Sequence, residues 1–130
     1  MALERILYID DDEDLLEIVK LALEETGGYS VTACANGEQG VRLAAEWQPD
    51  LIMLDVMMPV IDGPATLKRL KQSSITEHIP VVFMTARSSA SQAAGYRSMG
   101  AAGTIAKPFD PFGLAEQVAG LWEQLSLAAC

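Results

Sequence analysis

Apolar residues along this chain fall into short unbroken runs, separated by longer stretches in which they recur every three or four positions. Three runs are strongly apolar: Ile6-Leu7-Tyr8-Ile9, Leu51-Ile52-Met53-Leu54 and Val81-Val82-Phe83-Met84. Two weaker ones cover 31–35 and 104–106. Short apolar runs bounded by turn residues read as strands, and those without polar interruption read as strands buried on both faces. The 31–35 run includes Thr32 and is less uniform, which predicts an edge strand. Between the first two strands, Leu15, Ile18, Val19, Ala22 and Leu23 line one face of an amphipathic helix that Gly27-Gly28 stop. Asn36, with Gln39 three residues later, opens a second helix running to about residue 46. Asp62 and Gly63 precede a third, with Leu67 and Leu70 inward. A polar loop over 72–78 leads to the fourth strand. A weaker helix over about 89–99 turns Ala93, Tyr96 and Met99 inward. Asp110 caps a last helix with Pro111 in its first turn and Leu114, Val118, Leu121 and Leu125 on its buried face. Strand and helix alternate five times, which predicts an α/β fold: a parallel sheet with helices on both faces.

The length, 130 residues, suits one domain over 1–130, and half of the residues are hydrophobic, as in a globular chain. The formal net charge is −9, which argues against direct nucleic-acid binding, because such proteins need basic surface. No apolar stretch approaches the roughly 20 residues that span a bilayer, and no leader pattern stands at the N-terminus, so the expected location is cytoplasmic, away from membranes. Cys34 and Cys130 are neither paired in a C-x-x-C motif nor flanked by histidines; they are expected to be a small buried residue and a terminal thiol. Met53, Met57 and Met58 read as packing, Trp47 and Trp122 as cover for the core margins, and His78 as a solvated loop residue.

The chemistry lies at the strand ends. The first strand ends in Asp10 and Asp11, the third in Asp55, the fourth in Thr85 and the fifth in Lys107. In a parallel sheet those ends share one edge, the edge where ligands bind. Three crowded carboxylates repel one another, and a hard dication with oxygen ligands relieves the repulsion, with Mg²⁺ the natural candidate. A carboxylate, a metal, a lysine and a hydroxyl are also the parts of a phosphoryl-transfer site. Asp55 would attack phosphorus, the metal and Lys107 would neutralise charge on the phosphoryl oxygens, and the backbone N–H of Ala86 could donate as well.

Four segments, ILYIDDDED at 6–14, DLIMLDVMMPVIDG at 50–63, PVVFMTA at 80–86 and GTIAKPFDP at 103–111, stand in an order and at intervals that resemble a response-regulator receiver domain of two-component signalling. The likeness covers essentially the whole chain. It implies a CheY-like, flavodoxin-like, doubly wound fold with strand order 2-1-3-4-5 and a cis Lys107-Pro108 bond. It implies Asp55 as phosphoacceptor and Mg²⁺ as cofactor. Asp11 would be the more direct metal ligand, Asp10 would act largely through water, and Asp55 and the Met57 carbonyl would complete the set. Thr85 would move toward the phosphoryl group and Lys107 would pair with it.

The implied partners are a histidine kinase or a histidine phosphotransfer protein on the input side. On the output side stands a protein partner, or self-association, through the fourth helix, fifth strand and fifth helix. The chain ends soon after its last helix, so a stand-alone receiver without an effector domain is expected, a signalling phosphoacceptor that assists its own phosphorylation rather than an enzyme. Thr104 stands where many receivers carry an aromatic switch residue, which predicts transmission by the backbone of loop 86–91 instead. Met57 and Arg87 flank the site without offering a water-activating group, which predicts slow self-dephosphorylation. Two alternatives remain at this level: a degenerate receiver that binds partners without phosphorylation, and an aspartyl-phosphate hydrolase. The hydrolase would need an acid two residues after Asp55, where Met57 stands.

Overall fold

The computed structural model describes residues 2–86 and 90–128. Their order is β1 (Arg5–Ile9), α1 (Glu13–Gly27), β2 (Ser30–Cys34), α2 (Gly37–Trp47), β3 (Leu51–Asp55), α3 (Gly63–Lys71), β4 (Val81–Thr85), α4 (Ala90–Ser98), β5 (Gly103–Ala106) and α5 (Leu114–Ala128). The five strands form one parallel sheet in the order β2-β1-β3-β4-β5. The parallel sheet is the one that the alternation predicted, and its doubly wound order is the one that the family resemblance implied. β2 is an edge strand, as its mixed composition predicted.

The period of two along each strand divides the core. Ile6, Tyr8, Leu51, Met53, Val82, Met84 and Ile105 pack with Val19 and Leu23 of α1 and Leu114 and Val118 of α5. Leu7, Ile9, Ile52, Leu54, Val81 and Phe83 pack on the other face with Ala44 of α2 and Leu67 and Leu70 of α3. β3 and β4 have no exposed residue, because helices cover both faces of the central strands.

Helix starts follow their local chemistry. The side chains of Asp12, Asn36 and Asp62 accept hydrogen bonds from the first free N–H groups of α1, α2 and α3. Gly28, at φ 70°, closes α1 in the left-handed conformation that glycine adopts without cost.

Four expectations shift. Ile18 is 43% exposed, because the buried side of α1 runs through Leu16, Val19 and Leu23. Met99 is 53% exposed, lying beyond the end of α4, while Tyr96 carries that helix's contact with an edge-to-face approach to Phe83. β5 begins one residue earlier than expected, at Gly103. Asp110 caps a separate turn, accepting from the N–H of Phe112, and α5 starts only at Leu114. Cys34 is buried, and burial pushes its thiol up to about 11. Cys130, Arg87 and the middle of loop 86–91 lie outside the described residues.

Candidate phosphoryl-transfer and metal site

Register and parity build the site. Ile9 of β1 stands opposite Leu54 of β3 and Cys34 of β2, and the Asp10 N–H extends the ladder by donating to the Cys34 carbonyl at 3.1 Å. Asp10 therefore emerges beside Asp55, the last residue of β3. Lys107 follows β5 directly, held by its N–H on the Thr85 carbonyl at 2.8 Å. Tyr8 and Asp10, Met53 and Asp55, and Ile105 and Lys107 are pairs two residues apart, so each polar group inherits the α1/α5 side of the sheet from its apolar neighbour.

The result is a cleft of about 300 Å³ lined by Asp10, Asp11, Asp12, Asp55, Met57, Met84, Thr85, Ala86 and Lys107. Lys107 Nζ bridges two carboxylates, at 2.9 Å from Asp10 Oδ2 and 3.1 Å from Asp55 Oδ1. Asp10 is fully buried and makes further bonds: its Oδ1 accepts from the Asp12 N–H at 3.0 Å, and its Oδ2 accepts from the Tyr8 hydroxyl. Val60, in the loop that leaves the site, is held at φ 70°, a strained conformation for a β-branched residue.

The charges are unevenly balanced. Burial raises the Asp55 carboxyl from 3.8 to about 6; the hydrogen bond from Lys107 pulls it down, and the charge of Asp10 pushes it up again. Burial lowers the Lys107 ammonium, but its bonds to Asp10 and Asp55 outweigh that and leave it raised, hence cationic. Burial, reinforced by Asp10, holds the Tyr8 phenol well above its ordinary range, so it remains an O–H donor.

Asp10, Asp11 and Asp55 each offer an oxygen within 4.8 Å of the others, and among the described residues only the ammonium of Lys107 is ion-paired with them. A dense, all-oxygen, net-negative set of this kind fits a hard divalent cation such as Mg²⁺. The exposure of Asp11 leaves one side open to water, as a cation that keeps part of its hydration shell requires.

A family model described as response regulator receiver domain matches residues 6–119. The chain belongs to the receiver-domain family. Among curated proteins, this receiver is 41% identical over 106 residues to the DNA-binding dual master transcriptional regulator RpaA of Synechocystis sp., covering 82% of the chain and 44% of RpaA. It is 31% identical over 126 residues to the alkaline phosphatase synthesis transcriptional regulatory protein PhoP of Bacillus subtilis, covering 97% and 51%. The chain thus spans about half the length of these relatives. Among solved structures, the chemotaxis response regulator CheY4 of Vibrio cholerae matches with a TM-score of 0.84 at 27% identity, over 92% of this chain and 99% of that one. A response regulator from Chloroflexus aurantiacus matches with a TM-score of 0.80 at 32% identity, over 92% and 98%.

The receiver fold brings together every side chain singled out at the strand ends: Asp10, Asp11, Asp55, Thr85 and Lys107 all line one cleft, with Ala86 beside them. Met57 lines it too but is 78% exposed, so it is not the packing residue expected from the sequence: it follows the end of β3, beyond the helices that cover the sheet. Lys107-Pro108 is cis. Thr104 is half-buried on β5. His78 is exposed and remote from the cleft. Sequence reasoning passed over Tyr8, which reads as one more apolar strand residue. The available signal was its spacing of two from Asp10, which puts both on the same face of the strand. Among the described residues no helix is long and apolar enough to cross a membrane.

Proposed function

We propose that this receiver accepts a phosphoryl group on Asp55 from a phosphohistidine of a kinase or phosphotransfer protein, in a Mg²⁺-dependent reaction, and thereby switches its affinity for a partner. The observation that carries the reading is the Lys107 bridge between Asp10 and Asp55 beside a three-carboxylate cluster. In the transfer, an Asp55 oxygen forms a bond to phosphorus as the phosphorus–nitrogen bond of the donor breaks. The electron pair leaves with the imidazole nitrogen, which can take a proton. Lys107, already against Asp55, neutralises a phosphoryl oxygen, and the Thr85 hydroxyl and Ala86 N–H donate to others. Asp10, Asp11, Asp55 and the Met57 carbonyl would hold Mg²⁺, which supplies further positive charge to the phosphoryl oxygens. Met57 offers no acid group two residues after Asp55, which weighs against a hydrolase.

Phosphorylation adds roughly two negative charges where Lys107 now pairs with a carboxylate. Lys107 follows β5 directly, so a change in its pairing acts on α4, β5 and α5, the face assigned to a protein partner or to self-association. The DNA-binding described for RpaA belongs to a protein about twice this length, and the acidic charge of the present chain favours a protein partner.

Intact mass after incubation with acetyl phosphate tests the reading. A phosphoryl adduct is expected for the wild type with Mg²⁺, and none without the metal or in Asp55→Asn. No adduct under any condition would favour a phosphorylation-independent binding module; an adduct that persists in Asp55→Asn would mean that another carboxylate accepts.

A further inference from the structure

The phosphoacceptor reading leaves Tyr8 without a task. Its side chain is fully buried among Ile6, Val19, Met53 and other apolar groups, where a phenyl ring would pack equally well. A buried hydroxyl is costly unless bonded, and this one is bonded to a carboxylate of the acidic cluster. Asp10 Oδ2 receives both the Tyr8 hydroxyl and Lys107 Nζ, which together occupy its two lone pairs. Asp10 Oδ1 receives the Asp12 N–H and, among the described residues, keeps one lone pair. Three donors, Tyr8 and Asp12 on either side of Asp10 and Lys107 from the end of β5, therefore clamp one carboxylate, and its remaining acceptor capacity is on Oδ1.

The geometry points to Tyr8 as a positioning residue for the metal site: its hydroxyl fixes the Asp10 carboxylate so that Oδ1 is the oxygen presented to Mg²⁺ or to a water that the ion carries. Groups that orient a ligand in this way hold it in the binding rotamer before the ion arrives, so that binding need not restrict it. This rests on the proposed Mg²⁺ role of the acidic cluster.

Tyr8→Phe keeps the ring and removes the hydroxyl. Titration calorimetry with Mg²⁺ alone is expected to give about tenfold weaker binding for Tyr8→Phe than for the wild type. The acetyl phosphate reaction should need correspondingly more Mg²⁺ for half its maximal rate, while the rate at saturating Mg²⁺ stays within about twofold. Leu7→Val, which trims a β1 residue on the opposite face of the sheet, should leave the Mg²⁺ midpoint unchanged. An unshifted midpoint in Tyr8→Phe, an equal shift in Leu7→Val, or a lowered plateau without a shift would each overturn the assignment. Wild-type protein that neither binds Mg²⁺ nor forms an adduct would remove the proposed function along with it. Wild-type activity with an indifferent Tyr8→Phe would remove this inference alone.

Discussion

In the proposed role Asp55 faces two opposed demands: burial, which shields it, and ionisation, which attack on phosphorus would need. Lys107 partly reconciles them, yet the carboxyl still sits at about 6, above its ordinary 3.8. Between those two values the folded protein holds a proton that the unfolded chain releases. Stability from this group is therefore greatest in acid, falls as the pH rises from about 4 to about 6, and is flat above. Asp55→Asn removes the ionisation. In the absence of divalent cations, denaturant melts should show the variant gaining on the wild type across that window, by on the order of 3 kcal/mol in all. Parallel stability curves would mean that Lys107 already compensates the burial in full.

Gly63 shows how an element can hold a site through its backbone. It opens α3, donates its N–H to the Val56 carbonyl at 2.9 Å, and lies so close to the end of β3 that an added Cβ would stand 2.6 Å from the Asp55 carbonyl oxygen and 2.8 Å from the Val56 Cα. Both obstacles are backbone and neither can rotate away. Gly63→Ala should cost about 1–3 kcal/mol and move the Asp55 backbone, slowing acetyl phosphate turnover. Gly120→Ala, in the open middle of α5, should instead stabilise by about 1 kcal/mol and leave the reaction untouched. Equal behaviour of the two variants in melts and phosphorylation would refute a supporting role for Gly63. The start of α5 teaches a related lesson. Asp110 and Pro111 are good helix-opening residues, yet they form a preceding turn, because the buried face of the helix begins only at Leu114.

The molecule as a whole creates the acidic cluster, since its carboxylates come from the ends of two strands 45 residues apart in the chain. Unfolding disperses it, so an ion that binds there binds only the folded state. Mg²⁺ at a hundred times its dissociation constant should add about 2.7 kcal/mol of stability, raise the melting temperature, and be reversed by a chelator. Asp11→Asn, on the exposed side of the cluster, should lose most of that gain with little change in the metal-free melt. A melting temperature that rises equally in both proteins would indicate general screening of the −9 net charge rather than a site.

The sequence by itself determined the parallel α/β class, because short unbroken apolar runs such as Leu51 to Leu54, bounded by turn residues and alternating with amphipathic helices, read as strands covered on both faces. It also named Asp10, Asp11, Asp55, Thr85 and Lys107, because polar residues that end such runs share one sheet edge. Tertiary structure decided the rest. Whether Ile18 or Leu16 faces inward depended on how α1 rolls against the sheet, which periodicity leaves open by about one position. That Tyr8 and Lys107 share one oxygen of Asp10 was settled only in three dimensions, because Lys107 arrives from the end of another strand and a hydroxyl in an apolar run looks like packing until its partner is in place.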